Sequence, residues 1–251
     1  MGRKTSVYMN MNRIGHESLG AFTQTTQAVV TETPFDYILA ASDSGQLASY
    51  ITGVVYDTLS LPRPPVFVAP IFRHVDKART ILFDNSEQAA NFPEWQSADF
   101  KTTLFTDDEI WRGNTLNGLL DLLLALNIRI DDLTVVAEDG GFEHNGEVRG
   151  IPLRYVSPKQ RVPEIYNAFS YTIPKHFELP VREALKNEPT LNRKQIMCTL
   201  LGLPVKDRLH GRPFFSSRLL GKVAVDLGDF RSYQEGYSSW LDQTVQKYMN
   251  D

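Results

Sequence analysis

Asp107 and Asp108 stand side by side at the end of an apolar run, Phe100 to Thr106, and Gly113-Asn114-Thr115 follow five residues on. Adjacent carboxylates accept hydrogen bonds, so a ribose diol suits them. A loop feeding a helix N-terminus presents unpaired amide N–H groups and the positive end of the helix dipole, which suits a phosphate. Gly113 lets the backbone approach a ligand closely, and Thr115 adds a hydroxyl donor. Arg112 can itself pair with phosphate. The stretch Thr103–Leu116 therefore has the parts to hold a sugar phosphate at both ends.

A second polar stretch, Ser42-Asp43-Ser44-Gly45, follows another apolar run, Asp36 to Ala41. It reads as a turn between a strand and a helix. At a strand's C-terminal end it is also a place for a ligand. Asp43 there would repel a pyrophosphate unless a metal intervenes. Other chemistry-bearing residues read more plainly. Arg73, His74, Lys77 and Arg79 make a basic loop. Glu138-Asp139-Gly140-Gly141 is an acidic turn at a strand end. The five histidines are scattered, with no pair at metal-ligand spacing. Cys198 sits beside Met197 and Leu200 in a predicted helix and reads as a packed thiol. Arg208, His210, Arg212, Arg218 and Lys222 read as a solvated basic face. No nucleophile elbow and no Walker-type loop is present.

The elements that must position these residues alternate. Residues 16–31 are helical. Short strands are predicted over 35–41, 66–71, 100–106 and 133–138, and a returning strand over 148–156. Helices fall at 46–59 and 114–127. The polar stretches 42–45 and 107–113 are read as connections between strand and helix. Strands apolar on both faces and alternating with helices imply an α/β fold: a mostly parallel sheet with helices on both faces. The helix over 114–127 is apolar on nearly every side, so its outer face needs cover from the chain or from a partner, including a second copy. After Ser157 prolines separate short helices, the best at 179–186, 193–201 and 233–249. The division expected is 1–157 for the α/β domain and 158–251 for a mostly helical C-terminal extension.

Bulk properties narrow the classes. In 251 residues, 26 Lys+Arg against 30 Asp+Glu give a formal charge of -4, which argues against broad electrostatic capture of nucleic acid. One cysteine rules out an internal disulfide framework. The leucine-rich stretch 116–130 carries Asn117, Asp121, Asn127 and Arg129 and is too short and polar to span a bilayer. Two basic residues follow Met1 without an apolar run, unlike a secretory signal. Gly2 with Ser6 matches a myristoylation pattern only superficially. The expectation is a cytoplasmic protein that meets a small ligand rather than a membrane.

The segment 103–116 resembles the phosphoribosyl-diphosphate (PRPP) motif of the type I phosphoribosyltransferases: an apolar strand, two acids, a loop with glycine and threonine, then a helix. Asp107 and Asp108 match the acidic pair, Gly113 the glycine, Thr115 and Leu116 the residues that follow. Arg112 stands where that family usually has threonine, and Glu109 adds a third negative charge. Ser42 to Gly45 is similar in position to the family's pyrophosphate loop, and 72–98 to its mobile loop. The likeness spans roughly residues 34 to 140. It implies that Asp107 and Asp108 steady the ribose and, with Mg²⁺, the diphosphate. It implies that Trp111, Arg112, Gly113, Asn114 and Thr115 hold the 5-phosphate. The activity it implies is transfer of phosphoribosyl to a nitrogenous base. The alternative is a non-catalytic module that senses PRPP or a nucleotide, or serves interaction alone.

Overall fold

The computed structural model describes residues 2–69, 99–110, 113–139, 141–158, 168–184, 192–203 and 229–251. Six strands form one sheet: β1 (Tyr37–Ala41), β2 (Val66–Ala69), β3 (Phe100–Ile110), β4 (Ile130–Asp139), β5 (Glu147–Val148) and β6 (Ile151–Val156), in the order β2-β1-β3-β4-β6-β5. All pairs are parallel except β5 with β6. The expected α/β architecture is therefore the one observed.

Side chains alternate across a strand, and the two faces of the sheet carry separate cores. Ile38, Leu104 and Val136 point to one face. Their neighbours Leu39, Phe105 and Val135 point to the other. The second face is covered by α3 (Asn114–Ala125) through Leu116, Leu119, Leu120 and Leu123. This helix lies over the sheet with Leu124 largely exposed.

The first face is thicker. It carries α1 (Gly2–Glu32) and α2 (Ser42–Thr58). Against them pack α4 (Lys175–Ala184), α5 (Arg193–Leu200) and α6 (Phe230–Asn250). Leu19 and Phe22 of α1, Ile51 of α2, Val181 of α4, Ile196 of α5 and Leu241 of α6 belong to one buried cluster. The C-terminal helices thus share a core with the first two helices.

Three local differences from the sequence reading bear on the site. The stretch Ser42–Gly45, read as a turn, is the first turn of α2. Residues 107–110, read as loop, continue β3 to Ile110. Helix α1 begins at Gly2, well before residue 16.

Strand β3 continues because it keeps a partner. Thr106 pairs with Val136 and Glu109 with Glu138, so three steps on β3 match two on β4. One extra residue is accommodated as a bulge at Asp107-Asp108. A bulge bends the strand and re-aims side chains. It also reverses the alternation: Phe105 and Ile110, five residues apart, face the same core.

Candidate functional site

The connections out of the sheet's middle diverge. From β1 the chain passes through α2 to β2 on one side, and from β3 through α3 to β4 on the other. Between β1 and β3 the order reverses. In open α/β sheets the crevice beyond the strand ends at such a switch point is where ligands bind. The two stretches singled out by residue type lie there, Ser42–Gly45 after β1 and Asp107-Asp108 at the end of β3.

Helices α2 and α3 bring their N-termini to this edge from opposite faces. Neither N-cap residue, Ala41 or Gly113, supplies a side-chain cap. The amides of a helix's first turn have no partners within the helix. Helix α5 contrasts with both: the Asn192 side chain accepts from the Gln195 amide at 2.9 Å, and Gln195 Oε1 accepts from the Asn192 amide at 3.1 Å. Gly113 has φ +65, and a Cβ there would lie 2.1 Å from the Phe142 ring. Gly45 matters for a different reason. A Cβ on it would meet the Ala40 backbone at 3.1 Å and the Thr106 carbonyl oxygen at 3.2 Å. A side chain here would have to press β1 and β3 away from the first turn of α2 by a few tenths of an ångström.

The acid pair is buried, with Asp107 at 5% and Asp108 at 4% exposure. The Asp108 amide donates to Asp107 Oδ1 at 2.9 Å. Lys194 Nζ, from α5, donates to Asp108 Oδ2 at 2.9 Å. The same ammonium donates to Ser44 Oγ. One side chain from the C-terminal region therefore ties the start of α2 to the bulge of β3.

Burial holds the Asp107 carboxyl well above the usual carboxylate range, and the charge of Asp108 adds to this; Lys194 opposes it. For Lys194, burial favours the neutral amine, but Asp108, Asp107 and Asp43 outweigh it and raise its pKa. The bonded carboxylate of Asp108 does most to keep the amine charged. Glu138 is raised by burial and by Asp108, while Ser18 of α1, which donates to its Oε1, pulls the other way. Cys198, one turn beyond Lys194, points its Sγ at the Asp43 carbonyl oxygen at 3.4 Å. Burial, then the charge of Asp43, pushes this thiol far up, so it is unreactive.

Ser44 and Asp108 meet on one ammonium, and Asp43 and Asp107 are within its field. Gly113 is the left-handed N-cap of α3, and Asn114 and Thr115 open that helix. Trp111, Arg112, Arg73, His74, Lys77 and Arg79 lie outside the described residues, as does the basic stretch 208–222. Glu138, read as the last residue of a strand and the start of an acidic turn, is a buried residue of β4, which runs on to Asp139.

Lys194 was not singled out by sequence reasoning. A signal existed: Lys194, Met197, Cys198 and Leu201 fall at i, i+3, i+4 and i+7, which places a lysine in the apolar stripe of a helix.

The carboxylate oxygens of Asp107 and Asp108 are the right kind of donor for Mg²⁺. Yet among the described residues no three His, Cys, Asp or Glu side chains gather into a group that would hold a metal ion. Asp108 already takes an ammonium. As folded, the acid pair fits a lysine better than a divalent ion.

No family model matches this chain, and no curated protein matches it. Among solved structures, a hypothetical protein from Neisseria gonorrhoeae, crystallised with bound ppGpp, overlaps it with 12% identity and a TM-score of 0.33. The overlap covers 63% of this chain and 90% of that one. A likeness this loose leaves both fold and ligand to be read from this chain's own residues. Among the described residues no helix is long and apolar enough to cross a membrane.

Proposed function

We propose that this protein binds a phosphorylated ribose, PRPP or a nucleotide, in the crevice between the ends of β1 and β3. The observation that carries this reading is the meeting of Ser42–Gly45 and Asp107-Asp108 at the switch point of the sheet, joined by Lys194. The first turns of α2 and α3, whose N-cap residues Ala41 and Gly113 supply no side-chain bond, suit phosphate. Asp107 and Asp108 suit the ribose hydroxyls, with Gly45 keeping α2 close enough for one ligand to span both.

In the finer reading the site transfers phosphoribosyl. A base nitrogen forms a bond to the anomeric carbon and gives up its proton to water, as the bond to pyrophosphate breaks and the electron pair leaves with pyrophosphate. Asp107 and Asp108 then lie near the positive charge that develops on the ribose. The Lys194–Asp108 pair favours the second reading, a sensor without turnover. It neutralises one of the two carboxylates that catalysis would use.

Calorimetric titration of the whole chain with PRPP and with nucleoside mono- and diphosphates tests the binding. Saturable binding, lost in the Asp107→Asn/Asp108→Asn double variant, is expected. No binding by any of these ligands, or full binding in the double variant, ends the proposal. Pyrophosphate release from PRPP with a panel of nucleobases separates transferase from sensor.

A further inference from the structure

Lys194 sets an ammonium between the first turn of α2 and the bulge of β3. Its ammonium bonds Asp108 and Ser44 at once, and Asp43 and Asp107 are also within its field. The side chain is 13% exposed and its partner 5%. A charge this enclosed is compensated by what surrounds it, because water cannot do so.

The lysine is also held rigidly. Its helix starts in a capping box. Arg193, its neighbour, donates to Glu178 Oε1 at 3.2 Å and lies over the Tyr171 ring at 4.6 Å. On the other side Ile196, Met197 and Cys198 are fully buried. The ammonium therefore arrives with the fold, at a fixed point beside the first turn of α2.

An anionic ligand entering this crevice meets the field of Asp43 and Asp108. Some positive charge must offset them, and Lys194 is already there. We infer that Lys194 is the built-in counter-charge of this site, and that the site takes its sugar phosphate without a divalent cation. The ligand half of this inference rests on the proposed function; the cation half does not.

Two measurements on the whole chain test it. The first uses Mn²⁺ alone, with free ion read by electron paramagnetic resonance. The wild type should bind no Mn²⁺ that depends on Asp108. Lys194→Gln, which keeps a donor but removes the charge, should gain a Mn²⁺ site that Asp108→Asn then abolishes. Lys194→Met is the second variant, and melting curves confirm that each is folded. An Asp108-dependent Mn²⁺ site in the wild type, or no gain in the folded variants, overturns the inference. The second measurement is PRPP and nucleotide affinity in excess chelator and in Mg²⁺. Agreement within about threefold is expected, and a tenfold or greater dependence on Mg²⁺ overturns it. If no ligand binds under either condition, the proposed function and the ligand half fall together. The Mn²⁺ result still decides the cation half.

Discussion

The ammonium of Lys194 lies 2.9 Å from a carboxylate oxygen of Asp108, although 86 residues separate them in the chain. The bond joins the bulge of β3 to a helix near the C-terminus. It makes the acid pair part of the protein's internal electrostatics as well as a feature of its surface crevice. Breaking one side of such a pair leaves a buried charge unpaired, at a cost of ~3–5 kcal/mol. Lys194→Met should lose stability of that order in urea denaturation. Lys194→Met/Asp108→Asn should recover much of it. Equal losses in the single and double variants would show that the pair is not coupled.

Asp107 should make stability depend on pH. Its folded pKa is raised by burial and by Asp108, so the folded state prefers the protonated acid. Its contribution to stability is full below the ordinary carboxylate pKa of ~3.9 and is lost as pH rises toward the folded value. Asp107→Asn copies the protonated form. Its melting temperature should exceed that of the wild type at pH 7, by at least the ~2–4 °C that ~1 kcal/mol gives a chain of this size. The gap should close near pH 4. Asp43, Asp108, Glu138 and Lys194 share the site, so the comparison is read as a difference between variants. A gap that is constant with pH would contradict the assignment.

Gly45 and Gly113 should fail differently when changed to alanine. At Gly45 the new methyl presses on backbone, the Ala40 carbonyl carbon and the Thr106 oxygen. That costs ~1–3 kcal/mol and pushes α2 away from β3, so ligand affinity falls with stability. At Gly113 the obstacle is the Phe142 ring together with φ +65. Phe142→Ala should relieve the collision but leave the backbone strain. Gly113→Ala/Phe142→Ala should therefore be more stable than the two single effects sum to. Simple additivity would show that the ring moves aside freely.

The start of α5 should control where Lys194 sits. Asn192→Ala removes the capping bond to the Gln195 amide, a loss of ~1 kcal/mol. The consequence should reach beyond stability. Amide exchange in residues 193–196 should quicken, and ligand affinity should drop with it. Loss of stability with no change in either would mean that Lys194 is placed by its acids alone.

His16 gives a second pH signature, away from the site. Its Nδ1 lies 2.6 Å from the Tyr248 hydroxyl, joining α1 to α6. Burial, and then Lys247, lowers its pKa. Stability from this group is present above the ordinary histidine value of ~6.5 and declines as pH falls toward the folded value. His16→Phe should flatten the stability profile on the acid side of that value. An unchanged slope would mean that the ring is not held neutral.

Much of the frame was legible because it rests on local patterns. The short, continuous apolar runs at Ile38 and Val135 are those of strands buried on both faces. The leucines of α3 and the Asn192 start of α5 follow helix rules, which act over four residues. Those regularities were enough to imply a parallel α/β sheet and to place Ser42–Gly45 and Asp107-Asp108 at strand ends.

What the tertiary structure decided depends on partners far apart in sequence. The bulge at Asp107-Asp108 exists only because Thr106 and Glu109 pair with Val136 and Glu138 in shifted register. Glu138 ends a strand already legible in the sequence, but its bond from Ser18 of the first helix is decided by the fold. The first turn of α2 reaches β3 because Gly45 meets a carbonyl 61 positions later, at Thr106. Lys194 becomes chemically significant only when the C-terminal helices join the core of the first two. Periodicity and capping are properties of neighbouring residues, so the chain declares them alone. Register, burial and charge pairing belong to residues that meet only in the fold. The sequence by itself determined which elements form and which acids stand at their ends; the fold determined that a lysine answers those acids.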